Sequence, residues 1–330
     1  MSAAPLIGVV VPVHNAAAFL PACLAALRAQ TQPDFVCALV DDGSTDASPA
    51  LCDAAARQDP RFTALHQRQS GVCAARVAGV QAVLAKGVQW LAFCDADDVY
   101  HPAFLQTLWQ AAHTTDLPLA CCRYETFTES PAADQAPPAA PKVLAHPKHL
   151  HALLHDHAVD FGLWNKLYAA DLLTPAMLDN GLAYNEDLLA NWQAFCAAPG
   201  CALCDFAGYH YRQHAQSASH RPLSAQSIDD QRHAALYIRE HAAPEIQRSA
   251  DAFYYEKLVY LASMILRRDN PMDYRAQLGE LTVGISGGLK LPSLGRNPDL
   301  PFAVRVAAWF TVRAPRLWQR ICRRVLKDRQ

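Results

Sequence analysis

The chain has 330 residues, of which 52% are hydrophobic and 18% are charged, a composition typical of a globular protein with a large core. Its formal net charge of −2 gives no general attraction to nucleic acid. No apolar run reaches the roughly 18 residues that a membrane span requires. These properties favour one or two globular domains and argue against a nucleic-acid-binding or membrane-spanning protein.

Predicted strands and helices alternate in the first 94 residues. The β-branched runs "LIGVVVPV" and "FVCALV" predict strands buried on both faces, while the leucine spacing in "AAAFLPACLAALRAQ" predicts a helix. The predicted order is a strand at 6–13, a helix at 16–30, a strand at 35–40, a helix at 48–58, a strand at 61–67, a helix at 71–87 and a strand at 88–94. This alternation is typical of an α/β doubly wound parallel sheet.

The pattern is looser after about residue 110. The predicted elements there are a strand at 117–127, a Pro/Ala-rich surface loop at 129–142, segments that are at least partly helical at 161–173 and 185–198, a stretch without clear periodicity at 209–220, and mostly helices from 221 onward. The glycine-containing segment "GISGGLK" (284–290) is interpreted as a loop.

Eleven cysteines raise the question of disulfides or metal sites. Most, such as Cys94, lie among apolar residues, and the N-terminal stretch has neither the basic start nor the cleavage site of a signal peptide. We therefore expect reduced thiols and a cytoplasmic location. Cys201 and Cys204 form half of a zinc pattern, and His151 and His155 share a predicted helix face, but structural or solvated roles are favoured for both groups.

Two acidic clusters directly follow predicted strands. "DDGSTD" begins at Asp41, and "DADD" contains Asp95, Asp97 and Asp98. Like charges at this spacing repel each other, and a fold tolerates them where water, a cation or a cationic ligand neutralises them. A solvated acidic turn is the alternative. Ligands bind at the carboxyl ends of the strands in doubly wound sheets, so the position of both clusters favours a functional site.

The glycine-rich loops of the common phosphate sites are absent from the sequence. The turn after the first strand is "PVHNAA", without the G-x-G-x-x-G of a dinucleotide site, and no G-x-x-x-x-G-K-[ST] loop occurs. A divalent cation held by carboxylates is the remaining common means of binding a diphosphate.

Seven segments carry a resemblance to a known family. In chain order they are "VVVPVHNAAAFLPACLAAL", "VDDGSTDAS", "QSGVCAARVAGV", "FCDADDVYHP", "WNKLY", "NEDLL" and "YHYRQH". Together they resemble the family 2 glycosyltransferases with a GT-A fold, over about residues 6–215. The chain departs from the family at His14, Cys73 and Val77, where tyrosine, serine and asparagine are frequent.

The resemblance implies a domain organisation. A GT-A domain, the Rossmann-like nucleotide-diphospho-sugar transferase fold, is expected at 1–215, with a nucleotide-sugar half at 1–110 and an acceptor half at 111–215. Residues 216–330 would form a mostly helical C-terminal region with a basic amphipathic tail. A processive synthase is disfavoured, because the family's Q-x-x-R-W motif and transmembrane segments are missing from the sequence.

A nucleotide-sugar donor follows from the same resemblance. Asp42 matches the position that accepts from N3–H of uracil, which favours a UDP-sugar because a carboxylate cannot accept from the unprotonated N3 of cytosine. Pro12, His14 and Asp41 would line the base pocket, and Arg76 matches an arginine near the nucleotide. The alternatives are a helix N-cap for Asp42 and a surface salt bridge for Arg76.

The resemblance makes Asp95, Ala96 and Asp97 the D-x-D motif, which would bind Mn²⁺ or Mg²⁺ together with the nucleotide sugar. Asp97 would coordinate the metal directly, and Asp95 would contact the ribose or a metal-bound water. Asp98 would support the loop.

Asp187 of "NEDLL" matches the family's catalytic base, which takes the proton of the acceptor hydroxyl in an inverting reaction. Glu186 points about 100° away on a helix and would bind the acceptor. The alternative is that both acids only complement a helix dipole.

Four further residues match the family's site. Trp164 and Lys166 of "WNKLY" would stack on a sugar ring and meet phosphate or acceptor, with a core role as the alternative for Trp164. Arg212 and His214 of "YHYRQH" would close over the diphosphate. His214 would be an extra metal ligand, or a structural histidine.

The last thirty residues, 301–330, carry a net charge of +7 with interleaved apolar residues such as Trp309 and Trp318. This combination favours a helix on an anionic membrane surface, kinked at Pro315, which would place the protein on the inner face of the cytoplasmic membrane. A glycan or lipid-linked acceptor fits that location. The alternative is a basic helix packed on the protein's own acidic face.

Two rival functions share part of the pattern. A nucleotidyltransferase acting on a sugar phosphate also uses an acidic metal site in an α/β sheet, but it usually carries a glycine-rich basic N-terminal loop that this sequence lacks. An inactive GT-A scaffold is disfavoured by the intact Asp42, Asp97 and Asp187.

Overall fold

The structure is a computed structural model that describes residues 6–131, 136–137, 140–156, 159–214, 223–290 and 295–325, except for the side chain of Val325. The chain divides into two compact units, Met1–Arg221 and Pro222–Gln330, here called the first and second units. The predicted domain boundary after residue 215 lies close to this division.

The described part of the first unit contains one nine-stranded sheet. Its strands are β1 (Ile7–Val13), β2 (Phe35–Asp42), β3 (Phe62–Gln67), β4 (Trp90–Phe93), β5 (Val99–Tyr100), β6 (Leu119–Phe127), β7 (Lys142–Ala145), β8 (Lys166–Ala169) and β9 (Gly200–Arg212). The strand order is β3-β2-β1-β4-β8-β6-β9-β5, and β7 pairs with β9.

The first four strands pair in parallel, as the alternating pattern predicted. Beyond β4 the sheet is mixed, because β8 is antiparallel to both β4 and β6, while β6 and β9 are parallel. The prediction of a wholly parallel sheet is therefore wrong, whereas the predicted α/β class is confirmed.

Helices cover the sheet in the first unit. They are α1 (Leu20–Arg28), α2 (Ser48–Gln58), α3 (Val72–Leu84), α4 (Phe104–Thr115), α5 (Lys148–His155), α6 (Pro175–Leu178) and α7 (Glu186–Ala197). α1 buries Leu20, Leu24 and Leu27, the residues whose spacing predicted it. β1 is buried at every position except the half-buried Pro12, as expected of a strand covered on both faces.

Segment 161–173 is not helical at its centre, which corrects the prediction made from its sequence. β8 lies between β4 and β6, and Lys166, Leu167 and Tyr168 are fully buried. Pairing on both sides satisfies the backbone of this segment, and that tertiary context outweighs local propensity. Similarly, residues 209–212 continue β9, although their sequence has no clear period.

The second unit is helical in its described residues, as predicted. Its helices are α8 (Ala225–Glu240), α9 (Gln247–Arg267), α10 (Arg275–Leu289), α11 (Phe302–Arg313) and α12 (Pro315–Val325), with a 3₁₀ turn at Pro271–Tyr274. The expected break at Pro315 is confirmed. In the described residues, no helix combines the length and apolarity needed to cross a membrane.

The segment 284–290, interpreted as a loop, instead forms the end of α10. A Cβ on Gly284 would lie 2.8 Å from Cδ1 of Leu258, and a Cβ on Gly288 would collide with the ring of Tyr255. Both glycines therefore allow α10 to approach α9 closely. This packing offsets the poor helix propensity that suggested a loop.

All eleven cysteines have free thiols. Cys201 and Cys204, the half zinc pattern, are buried in β9, and Sγ of Cys201 lies 3.3 Å from Sγ of Cys121. In the histidine-rich segment, the rings of His151 and His155 lie 4.9 Å apart on α5, while His157 lies outside the described residues.

We select Gly79 for a test, because α3 approaches the sheet closely at this residue. A Cβ there would collide with Val10 and lie 3.1 Å from Cγ2 of Val40. We expect Gly79→Ala to lower the free energy of unfolding by about 1–3 kcal/mol, because the added methyl overpacks this contact. Chemical denaturation measures the change.

The matched control is Gly279→Ala in α10, where an added Cβ meets nothing within 4 Å. We expect it to stabilise its helix by roughly 0.5–1 kcal/mol through propensity alone. Equal destabilisation by both substitutions would contradict the packing argument.

Candidate active site

The predicted site residues lie at one edge of the sheet. β1, β2 and β4 are adjacent and parallel, so their carboxyl ends point to the same edge. His14 follows β1, Asp42 ends β2, and Asp95 follows β4. The fold thus brings both acidic clusters together, as expected from their positions after strands.

Asp42 is buried, with 5% exposure, and it accepts three hydrogen bonds. Oδ1 accepts from Nε2 of Gln67 at 2.8 Å and from N–H of Ser70 at 2.7 Å, and Oδ2 accepts from N–H of Gly71 at 2.8 Å. The carboxylate therefore holds the turn that leads into α3. The alternative that Asp42 caps α2 is wrong, since that helix has no side-chain cap.

The other predicted base-pocket residues surround Asp42. His14 is exposed, and its Nδ1 donates to the backbone oxygen of Asp42 at 2.9 Å. Asp41 is buried and lies 3.2 Å from Nδ1 of His66. Pro12 is half-buried near the end of β1. These side chains form a polar turn beside an apolar strand end.

Arg76 is the buried cation of this edge, with 6% exposure. α3 places its Nη1 2.9 Å from Oε1 of Glu186 and its Nη2 3.5 Å from Oδ1 of Asp95. Burial opposes the charge of the guanidinium, but the surrounding carboxylates, Asp95 foremost, outweigh it and raise the pKa of Arg76. The surface salt bridge considered from sequence is wrong, since this bridge is buried and joins the loop after β4 to the start of α7.

The loop after β4 crowds three carboxyl groups. Asp95 and Asp97 are half-buried, while Ala96 and Asp98 are buried. Burial raises the pKa of Asp95, and the charge of Asp97 adds to this while Arg76 opposes it. Burial and the charges of Asp95 and Asp97 raise the pKa of Asp98 as well. Negative charge on this loop is thus only partly compensated, and a nearby cation would stabilise it.

Two predicted residues contact this loop, Arg212 at the end of β9 and His214 just after it. Arg212 donates from Nε to the backbone oxygen of Asp97 at 2.9 Å, and its guanidinium lies over the rings of Phe19 and Phe127. Nε2 of His214 lies 2.9 Å from Oδ2 of Asp97. Both residues are therefore in contact with the D-x-D segment.

The two acids of "NEDLL" open α7 after Asn185, whose left-handed backbone (φ 61°) turns the chain into the helix. Glu186 is held by Arg76, and Oδ1 of Asp187 accepts the N–H of Leu188 at 2.8 Å. Burial and the charge of Glu186 raise the pKa of Asp187 to about 7, although Arg76 opposes the shift. A carboxyl with such a pKa is suited to accept a proton near neutral pH.

Lys166 does not face this edge as a free cation. It is fully buried. Its Nζ lies within hydrogen-bond distance of four protein oxygens, namely the carbonyls of Val159, Asp160 and Gly162 and Oδ1 of Asn165, which share its three N–H groups. Burial lowers its pKa. Lys166 therefore holds the 159–162 turn, which corrects the prediction that it meets phosphate or acceptor.

Trp164 is 9% exposed. Its ring stacks on Tyr209 with a centroid distance of 4.4 Å and meets Tyr124 edge-on at 4.9 Å. These contacts fit the core role that its sequence also allowed.

Two residues of the site were missed from the sequence. Gln67 stands opposite Asp42 in the β2–β3 register, and this pairing of two polar strand ends was the available signal. Tyr209 accepts from N–H of Asp95 at 3.2 Å and donates to Oδ2 of Asp98 at 2.6 Å. Its segment has no clear period in the sequence, so no local signal distinguished it.

Comparison with known proteins agrees with this geometry. The model of glycosyl transferase family 2 matches residues 8–159. The uncharacterised glycosyltransferase EpsJ of Bacillus subtilis is 29% identical over 246 residues, covering 72% of this chain and 70% of the relative. The putative glycosyltransferase EpsH of the same organism is 31% identical over 224 residues, covering 66% of this chain and 63% of the relative. Residues 8–159 form a glycosyl transferase family 2 domain.

Solved structures share the fold of this glycosyltransferase. S. aureus TarS 1–349 in complex with UDP has a TM-score of 0.62 at 14% identity, covering 98% of this chain and 92% of TarS 1–349. The mannosyltransferase PcManGT from Pyrobaculum calidifontis, in complex with GDP-Man and Mn²⁺, has a TM-score of 0.53 at 15% identity, covering 100% of this chain and 89% of that one. The predicted GT-A fold is confirmed.

The side chains around the D-x-D segment include atom types that bind a divalent metal ion. Asp95, Asp97 and His214 offer carboxylate oxygens and an imidazole nitrogen, which Mn²⁺ accepts. The described His, Cys, Asp and Glu side chains include no group of three or more arranged to hold a metal ion. In this structure Asp97 and His214 contact each other. The residues therefore fit a metal by type and by uncompensated charge.

Proposed function

We propose that this glycosyltransferase moves a hexosyl group from a UDP-sugar to a hydroxyl of a glycan or lipid-linked acceptor, with inversion at the anomeric carbon. One observation carries the proposal. Buried Arg76 bridges Asp95 of the D-x-D segment and Glu186, which is adjacent to Asp187. The donor-binding loop and the candidate base are thereby joined through one ion-pair network.

Asp42 would recognise the nucleotide base. A carboxylate has about four acceptor positions, and internal donors occupy three of them on Asp42. The remaining position would accept from N3–H of uracil. Pro12, His14 and Asp41 would border the base. The UDP complex of TarS supports a uridine donor by fold analogy.

Asp97, Asp95 and His214 would hold Mn²⁺ or Mg²⁺, and Arg212 would face the diphosphate. When bound, the ion supplies positive charge that stabilises the leaving nucleoside diphosphate. PcManGT, which was solved with Mn²⁺, supports this choice by analogy. His214 would have to exchange its bond to Asp97 for the ion.

Asp187 would act as the general base. Its carboxylate takes the proton of the acceptor hydroxyl while the hydroxyl oxygen bonds to the anomeric carbon. The bond from that carbon to the diphosphate oxygen breaks on the opposite face, which produces inversion. Arg76 holds Glu186, so Glu186 fixes the start of α7 in addition to its predicted contact with the acceptor.

The second unit would contact an anionic membrane surface. On α11, Phe302, Val306 and Trp309 lie on one helix face at i, i+4 and i+7, with exposures of 77%, 36% and 51%. An exposed apolar face of this kind is suited to the boundary between headgroups and acyl chains.

Five of the arginines in the tail fall into two groups. Arg305 and Arg323 donate to backbone carbonyls of the second unit. Arg316, Arg320 and Arg324 are exposed and share one face of α12 at i, i+4 and i+8. The second group is available to anionic headgroups, and such contact would bring the enzyme to a lipid-linked acceptor.

Asp187→Asn is expected to reduce kcat by about 10²- to 10⁴-fold, because an amide cannot take the hydroxyl proton. UDP affinity, measured by calorimetry, should be retained. Asp171→Asn, which changes an exposed acid, is the control and should keep full turnover. Undiminished kcat in Asp187→Asn would remove Asp187 from the mechanism.

The pH profile gives a second arm of this test. The base acts when deprotonated, so kcat/KM, which reports the free enzyme, should fall as the pH drops through about 7, the pKa to which burial and Glu186 raise Asp187. Arg76 and Asp160 also act on this pKa, in opposite directions. Activity that stays flat down to pH 5 would contradict the assignment.

Asp97→Asn is expected to weaken UDP binding in the presence of Mn²⁺ by at least about tenfold, judging from the 10–100-fold effects of lesser changes at metal sites. Calorimetry with Mn²⁺ and with EDTA separates the metal-dependent part of the affinity. Asp171→Asn again serves as the control. An unchanged response to Mn²⁺ would show that Asp97 is not a ligand.

Replacing Arg316, Arg320 and Arg324 with glutamine should weaken binding to vesicles that contain phosphatidylglycerol. At about 1 kcal/mol per arginine, the loss is on the order of a hundredfold, measured by flotation. The control replaces three exposed cations of the first unit, Arg57, Lys86 and Lys142. Equal binding by both triple variants would contradict a specific membrane face.

A further inference from the structure

Asp98 differs from the other two acids of its loop. It is 1% exposed, and both of its carboxyl oxygens are engaged by β9. Oδ2 accepts from the hydroxyl of Tyr209 at 2.6 Å, and Oδ1 accepts from the N–H of Arg212 at 2.7 Å. Asp98 therefore faces the protein interior, whereas Asp95 and Asp97 are partly exposed.

Tyr209 connects Asp98 to the start of the same loop. Its hydroxyl also accepts from the N–H of Asp95 at 3.2 Å. The residue is fully buried, and its ring stacks on Trp164 and meets Tyr100 edge-on. A hydroxyl on such a confined ring is a fixed point, so it sets where the backbone at Asp95 lies.

The end of β9 and the residues just after it make further contacts at the middle of the loop. Nε of Arg212 donates to the backbone oxygen of Asp97, and His214 meets the Asp97 carboxyl group. Residues 95, 97 and 98 are thus all held by the same strand, β9. Repulsion between the Asp95 and Asp97 carboxylates would otherwise favour spreading of this loop, and ordering it during donor binding would reduce the affinity.

We propose that Asp98 and Tyr209 are positioning residues of the donor site, a hydrogen-bonded pair that fixes the 95–97 backbone so that the Asp95 and Asp97 carboxylates are ready for a nucleoside diphosphate and its metal. This inference rests on the proposed function, which supplies the ligand of the loop. Neither residue touches the donor. Both act through the backbone of the D-x-D segment.

Tyr209→Phe tests the pair, because it removes one hydroxyl and retains the ring. The matched control is Tyr168→Phe, since Tyr168 is also fully buried in the sheet and donates to Oδ1 of Asn191 at 2.6 Å. Both variants should show a similar decrease in Tm. Only Tyr209→Phe should weaken the binding of UDP with Mn²⁺, by about tenfold, and it should raise KM more than it lowers kcat.

Asp98→Asn provides a second variant. In asparagine an NH2 group replaces one of the two carboxyl oxygens and cannot accept, so the bond from either Tyr209 or Arg212 is lost. The affinity of this variant for UDP with Mn²⁺ should also fall by about tenfold. The double variant Asp98→Asn/Tyr209→Phe should be no weaker than either single variant, because one pair is lost in each case. Losses that multiply in the double variant would overturn the coupling.

The outcomes separate this inference from the proposed function. If the wild-type protein binds UDP with Mn²⁺ and Tyr209→Phe binds equally well, the positioning role is wrong and the proposed function stands. If the wild-type protein shows no Mn²⁺-dependent binding of UDP, the proposed donor fails. A loss of the same size in Tyr168→Phe would show a general effect of stability and would also overturn the positioning role.

Discussion

The buried ion-pair network of Arg76 is the interaction on which the site depends. One guanidinium lies between Asp95 and Glu186, carboxylates from segments that are ninety residues apart in sequence. Burying a charge without partners is costly, whereas a guanidinium between two carboxylates is held strongly. The donor loop and the start of α7 are therefore fixed relative to each other by electrostatics, within a single compact unit of the chain.

The same network leaves excess negative charge at the sheet edge. The pKa values of Asp95, Asp98 and Asp187 are all raised, mainly by burial. Neighbouring acids add to each shift, because one arginine cannot compensate all of them. Such residual repulsion lowers stability and is retained where a ligand relieves it. A metal-bound nucleoside diphosphate at Asp95 and Asp97 fits this requirement. The raised pKa of Asp187 gives this carboxylate the proton affinity that a general base needs.

Main-chain donors and buried side chains complete the site. The N–H groups of Ser70 and Gly71 order Asp42, and the hydroxyl of Tyr209 orders the loop at Asp95 and Asp98. Lys166 performs a comparable task at the 159–162 turn. Each acid of this edge has at least one fixed partner. Its position therefore need not be ordered by the substrate.

The sequence by itself determined the alternation of β1 to β4 with their helices, because a strand covered on both faces requires a continuous apolar run. It also placed Asp42, Asp95 and Asp97 at one edge, since the carboxyl ends of parallel strands meet there. Only the tertiary structure decided that Lys166 and Tyr209 are buried and what they hold. Their partners lie on loops and strands whose pairing is non-local, and no periodicity of a single segment encodes such contacts.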